Sequence, residues 1–173
     1  TIIKITSGSD NWIVQSASRG WDKRLILDTS NSEAAHTDFV TGVSSTTLTL
    51  QTNGSVNGND ADYIAYVFAE KTGYSKFGSY TGNGNADGTF VYTGFKPAFV
   101  LLKNTTDASD WNLKDSKRPG YNQVNDILYP NLNNAEEHGG DIDILSNGFK
   151  VRTTAANTNN NGSTYIFMAF AEA

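Results

Sequence analysis

Cysteine is absent from the 173-residue chain, which excludes disulfide staples, a thiolate nucleophile and Cys-ligated zinc. That absence does not fix a compartment, because disulfide-free extracellular and virion proteins exist. Proline is scarce, with three residues, and charged residues make up only 18%. Long solvent-facing helices draw on Ala, Leu, Glu, Lys and Arg, so this composition argues against a helical protein. No run approaches 18 consecutive apolar residues, which excludes a membrane-spanning helix. No basic start with an apolar core and a small-residue cleavage site marks a signal peptide. Basic excess is lacking as well: 13 Lys and Arg against 18 Asp and Glu give a net charge of −5. That is the wrong sign for releasing counterions from nucleic acid or an anionic membrane. The first residue is Thr1, so the sequence is expected to be processed or to be a segment of something longer.

What the chain has in quantity is Asn, Gly, Ser and Thr, residues of turns and, for Thr, of the wet face of a sheet. Short β-type runs recur between turn clusters: 2–5, 11–15, 24–27, 46–51, 63–69, 75–81, 89–95, 98–103, 148–153 and 164–170. Leu48 and Leu50 alternate with threonines, as a strand wet on one face does. The runs 63–69 and 165–171 are apolar at every position, which predicts strands in the middle of a sheet covered on both sides. Asn131–His138 and Asp28–His36 each offer an Asn or Asp cap ahead of Ala and Glu, and predict a helical turn or two.

The strongest signal is an internal repeat. YIAYVFAE at Tyr63–Glu70 returns as YIFMAFAE at Tyr165–Glu172, a displacement of 102 positions. The same displacement takes His36 to His138, Ser44 to Ser146, Thr52 to Thr154 and Asn59 to Asn161. Nearer the start it is 99 positions, taking Ile2-Ile3-Lys4 to Leu101-Leu102-Lys103, Trp12 to Trp111 and Arg19 to Arg118. The difference is absorbed between Arg118 and Ile127, where Pro119-Gly120 marks a loop. Residues 72–99 have no counterpart in the first copy, which therefore lacks about two strands. Unpaired sheet edges invite pairing with another chain; the missing strands are expected to lie upstream in a longer protein, to come from a neighbouring subunit, or to be dispensable to the first module.

Gly73–Lys103, GYSKFGSYTGNGNADGTFVYTGFKPAFVLLK, resembles tail-fibre and related virion proteins of marine and freshwater bacteriophages, cyanophages included. So do the later DILSNGFKVR (Asp143–Arg152) and the closing YIFMAFAE. The first half resembles the preceding module of the same proteins, through Trp12–Thr29 and Asn53–Glu70. The resemblance implies a virion appendage that works as an oligomer, and it carries no catalytic residues.

Motifs of chemistry are largely missing. There is no GxSxG, HExxH, GxxxxGK[ST] or GxGxxG opening a helix, and GNGNADG (Gly82–Gly88) has no phosphate-loop lysine. His36 has Glu33 and Asp38 nearby in sequence, and His138 has Asp141 and Asp143, so these are weak candidates for a metal site or a pH switch beside the plainer reading of inherited turn residues. The Asp/Asn clusters at 57–62, 83–88 and 139–144 lack EF-hand spacing and suit turns. Glu70 and Glu172 each end an apolar strand at equivalent repeat positions, which speaks for a shared structural role over an acid–base pair. Trp12 and Trp111 are expected in strands of the core. Trp21, Tyr80 and Tyr121 sit in or near loops and are the candidates for stacking on a sugar ring.

The expected fold is all-β: two tandem antiparallel sandwich-like (jelly-roll-like) modules from a duplication, residues 1–71 incomplete at the N-terminal side and residues 72–173 complete. The expected function is a non-enzymatic virion component, a tail fibre or appendage for host-surface attachment, with no cofactor. Expected partners are further copies of itself, as a trimer or filament, and a host cell-surface glycan or receptor, without nucleic acid or membrane insertion. The alternative is an extracellular filament subunit that polymerises by donating the strands of Gly73–Pro97. A third reading is a freestanding carbohydrate-binding module.

Overall fold

The computed structural model describes residues 1–118 and 121–172. Strands hold 42% of the protein and helical turns 4%, so the chain is all-β, as its Thr- and Asn-rich, charge-poor composition predicts. In the first half, β1 (Ile2–Ile5), β2 (Ile13–Val14), β3 (Lys23–Ile26), β4 (Ala34–Ala35) and β7 (Tyr63–Tyr66) form one sheet in the order β4-β3-β2-β1-β7. Between β4 and β7, β5 (Val40–Val43) and β6 (Leu48–Leu50) make a separate hairpin.

The second half builds two four-stranded sheets. β8 (Ser75–Thr81), β10 (Pro97–Asn104), β11 (Asn112–Asp115) and β15 (Thr164–Ala171) lie in the order β11-β10-β15-β8. β9 (Phe90–Tyr92), β12 (Val124–Ile127), β13 (Glu137–Leu145) and β14 (Gly148–Val151) lie in the order β12-β13-β14-β9. All pairings among these strands are antiparallel.

Alternation along two strands makes a layered stack. Val100 and Leu102 of β10, with Tyr165, Phe167 and Ala169 of β15, pack onto Ile142, Ile144, Phe149 and Val151 of the facing sheet. The opposite face of the same two strands, Leu101 and Ile166 with Phe99 and Met168, packs with Trp111 onto Val14, Leu25 and Ile2 of the first half. A third cluster, Ile3, Ile13, Phe39 and Val56 with Leu50 and Tyr63, fills the far side of the first sheet under the β5-β6 hairpin. β15 is thus the doubly covered central strand that its unbroken apolar run predicts.

Its repeat counterpart differs. β7 ends its sheet, paired to β1 alone, and Ile64, Tyr66, Val67 and Phe68 are 38–60% exposed. The expectation of a central, doubly covered strand at 63–69 is therefore corrected: the sequence of the strand suits burial, but no strand stands on its outer side. The expected helical turns at Asp28–His36 and Asn131–His138 do not form. β4 and the start of β13 occupy the ends of those segments, because strand pairing to β3 and β12 takes up their backbone. The helical pieces are a 3-10 turn at Ala17–Arg19 and one α-turn at Ala156–Asn159. The Pro119-Gly120 loop lies outside the described residues.

The duplication reads through to strand register. Ile2 faces Tyr66, Ile3 faces Ala65, Lys4 faces Ile64 and Ile5 faces Tyr63. Moved by the displacements of the repeat, these become Leu101–Met168, Leu102–Phe167, Lys103–Ile166 and Asn104–Tyr165, the observed pairs of β10 with β15. The pairs Ile2–Val14 and Ile3–Ile13 likewise become Leu101–Leu113 and Leu102–Asn112.

Two lysines are buried. Lys103 Nζ donates to the Ser30 carbonyl at 2.9 Å and to the Ser109 carbonyl, tying β10 to a turn of the first half. Lys114 Nζ donates to the Gly139 carbonyl. Loss of hydration lowers both ammonium groups to a pKa of about 8.

Candidate functional site

The feature that stands out from this packed stack is the bare edge of β7 and what adjoins it. In the second half, β15 has β8 on its outer side, with Tyr165 facing Tyr80, Ile166 facing Ser79 and Phe167 facing Gly78. In the facing sheet, β14 has β9 on its outer side. Residues 72–99 supply both strands, and the first half has no such segment. Among the described residues, β7 and β6 therefore have no strand on their outer sides.

A cleft of about 590 Å³ opens there. Ser44–Leu48 at the start of β6 form one wall, Val67–Glu70 after β7 the other, and Leu101, Trp111, Ile166 and Met168 of the middle sheet the floor. Trp21, Ile2 and Val14 also line it, and Glu70 is its one charged side chain. Ser44 and Thr47 hydroxyls are bonded to each other at 2.7 Å across the turn, so the wall is apolar below and hydroxyl-rimmed above. Strands with a row of free N–H and C=O groups beside exposed apolar side chains are templates for further pairing. Natural edges are blunted by Lys, Pro or a bulge, and Tyr63–Ala69 contains none of these residues.

The residues singled out from sequence fall in different places. Tyr80 is a core residue, not a surface contact: its ring stacks on Tyr165 at 5.0 Å between centroids and its hydroxyl donates to the Thr158 carbonyl at 2.7 Å. Burial pushes its hydroxyl pKa well above 10. Trp21 is half-buried on the cleft wall. Tyr121 is 84% exposed. Trp111 is buried as expected, and its indole N–H donates to the Ile26 carbonyl at 2.9 Å. Trp12 is only half-buried, stacked on Tyr66 at 6.4 Å. Both tryptophans lie immediately before their strands.

The two histidines keep a shared local role without converging. His36 Nδ1 meets Asp38 Oδ1 at 2.5 Å with its ring on Phe39, and His138 Nδ1 meets Asp126 Oδ1 at 2.6 Å. Asp143 instead pairs with Arg152, and the Asp141 carbonyl accepts from the Arg152 N–H. Among the described residues no group of three or more His, Asp or Glu is placed to hold a metal ion. Glu70 and Glu172 sit in separate surface ion pairs, with Lys76 and Lys117. The Gly82–Gly88 run is a chain of Asx turns, with the Asn85 N–H on Asn83 Oδ1 and the Asp87 N–H on Asn85 Oδ1. Asn159, buried, clasps it: Nδ2 donates to Asn83 Oδ1 and to the Asn85 and Thr153 carbonyls, and Oδ1 accepts from the Asn83 N–H.

Sequence reasoning pointed to the missing strands but not to the cleft. The register arithmetic carried that signal, whereas Trp21 and the Ser44–Leu48 turn come together only in three dimensions. The whole chain, residues 1–173, matches the family described as Domain of unknown function (DUF7483). The chain belongs to that family. No curated protein and no solved structure matches it. No helix among the described residues is long and apolar enough to cross a membrane.

Proposed function

We propose that this DUF7483 chain is a non-enzymatic structural and adhesion module of a bacteriophage virion appendage, a tail fibre or related part, working as an oligomer at the host surface. Two things support the reading: the resemblance of Gly73–Lys103 and the closing YIFMAFAE to such virion proteins, and the bare apolar edge of β7. The edge carries most weight. A surface that leaves Ile64, Tyr66 and Val67 40–60% exposed beside unpaired main chain suits a part that is covered on assembly. Host contact then falls to loops held on the sheets, with exposed Tyr121 a candidate for glycan stacking.

A second reading, a filament of copies exchanging residues 73–97, draws on the same edge. A count weakens it. Residues 1–173 hold one such pair of strands and two places for it, so donating residues 73–97 bares the donor's own β15 whenever it covers a neighbour's β7.

Light scattering across a concentration series, with electron microscopy of the same samples, tests the reading. The expected result is a discrete oligomer, dispersed by Val67→Lys without loss of the β-rich circular dichroism spectrum. Open-ended filaments would favour the second reading, and a chain that stays monomeric at every concentration would overturn self-assembly.

A further inference from the structure

We propose that the bare outer edges of β7 and β6 in the first half are an acceptor for a two-stranded segment that carries the side-chain pattern of residues 73–97 but is not the chain's own copy of them. The inference rests on reading the chain as an assembly module and names the partner of its open edge.

The second half is the template. There the strand beside β15 places a tyrosine ring on Tyr165, sends its hydroxyl to the Thr158 carbonyl, and lays Gly78 against the Phe167 ring, where a Cβ would come within 2.8 Å. The loop that follows is clasped by Asn159.

The first half keeps the receiving side of two of these contacts and changes the third. Tyr63, the counterpart of Tyr165, is held in the same way. Its hydroxyl donates to the Gly54 carbonyl at 2.6 Å and accepts from the Gly58 N–H at 2.9 Å. Tyr165 donates to the Ala156 carbonyl and accepts from the Asn160 N–H, each at 2.7 Å. These partners, too, are 102 positions apart. Val56, buried like its counterpart Thr158, has a carbonyl that accepts no hydrogen bond among the described residues. Asn57, the counterpart of the clasping Asn159, is exposed. Ala65, where the second half has Phe167, leaves room for more than a glycine.

The occupant is therefore polypeptide, because what waits is a row of unpaired main-chain groups whose side chains alternate with period two. It needs a tyrosine opposite Tyr63 and an Asx-Gly turn reaching Asn57, while opposite Ala65 a residue larger than glycine fits. A companion strand extends β6. The occupant is not residues 73–97 of the same chain, because these already complete the second half.

The test titrates a fluorescently labelled synthetic peptide of residues 73–97 against the full chain, read by anisotropy, with light scattering on the same samples. Saturable one-to-one binding is expected, with none for a scrambled peptide. Ala65→Lys in the chain buries an unpaired ammonium on docking and should weaken binding about ten-fold or more, while Tyr80→Ala in the peptide should weaken it several-fold. If Ala65→Lys fails to fold, the peptide variant carries the comparison. No saturable binding, or binding indifferent to both substitutions, overturns the proposal. Self-association that persists without peptide binding overturns this inference and leaves the assembly reading standing. A monomeric chain that binds the peptide does the reverse.

Discussion

Replacing Trp111 by Phe is expected to cost about 2–4 kcal/mol of stability, and replacing Trp12 by Phe less than about 1 kcal/mol. The two tryptophans are repeat counterparts, so the difference must come from surroundings. Trp111 is 2% exposed, and its indole N–H crosses from the β11 side of the middle sheet to the Ile26 carbonyl of the first half. Phe leaves that carbonyl without its donor, worth about 1–3 kcal/mol when buried. The smaller ring also opens space among Val14, Leu25, Leu101 and Ile166, adding about another 1 kcal/mol. Trp12 is half in water and contributes one stacked contact with Tyr66, a neighbour Phe also reaches. Urea unfolding followed by far-ultraviolet circular dichroism measures both, since that signal does not depend on tryptophan. Equal costs for the two variants would refute the packing argument, because they would place both residues in equivalent environments.

Asn159→Ala removes the clasp on residues 82–88 and strands several carbonyl and N–H partners, so a loss of about 2–4 kcal/mol is expected. Hydrogen exchange should show the amides of Asn83, Asn85 and Asp87 losing protection first, and uniform loss across the chain would contradict the assignment. Stability should also depend on pH through the buried lysines. Lys103 and Lys114 release protons near pH 8 when folded and near 10.5 when unfolded. The unfolded chain therefore holds more protons in between, and stability rises from about pH 8 toward 10. Above 10 the buried tyrosines Tyr80 and Tyr165, held protonated in the folded state, reverse the sign. Urea midpoints between pH 7 and 10 check this, and Lys103→Met should flatten the rise. A midpoint that falls over the interval would contradict it.

Much of the sheet content was legible because hydrophobic period and turn residues act locally. The sequence bounds β1 at 2–5 and β8 at 75–81, as observed, and β15 to within one residue. β13, the longest strand, was missed, since EHGGDIDIL carries charge and two glycines whose placement depends on β12 and β14. β7 shows the opposite failure. Its residues suit burial, but burial is a property of neighbours, and its neighbour is absent. Tyr80 misled in the same way: flanking glycines and asparagines read as a surface loop, while strand alternation turns the ring inward. The site was half visible, because the repeat displacement located the missing strands and only the fold shows the bare edge of β7 and the cleft lined by Ser44–Leu48 and Val67–Glu70.

The contact between the halves has one more implication. Ile2 and Leu101 are repeat counterparts, as are Val14 and Leu113, and all four meet in a single cluster. A patch that touches its own copy is the mark of a two-fold homodimer. Here both copies sit on one polypeptide, so the pairing is intramolecular and holds at any dilution. The chain is, in this respect, a dimer fused end to end, and its symmetry fails where one partner has Trp111 and Ile166 inside and the other leaves Trp12 and Ile64 facing solvent.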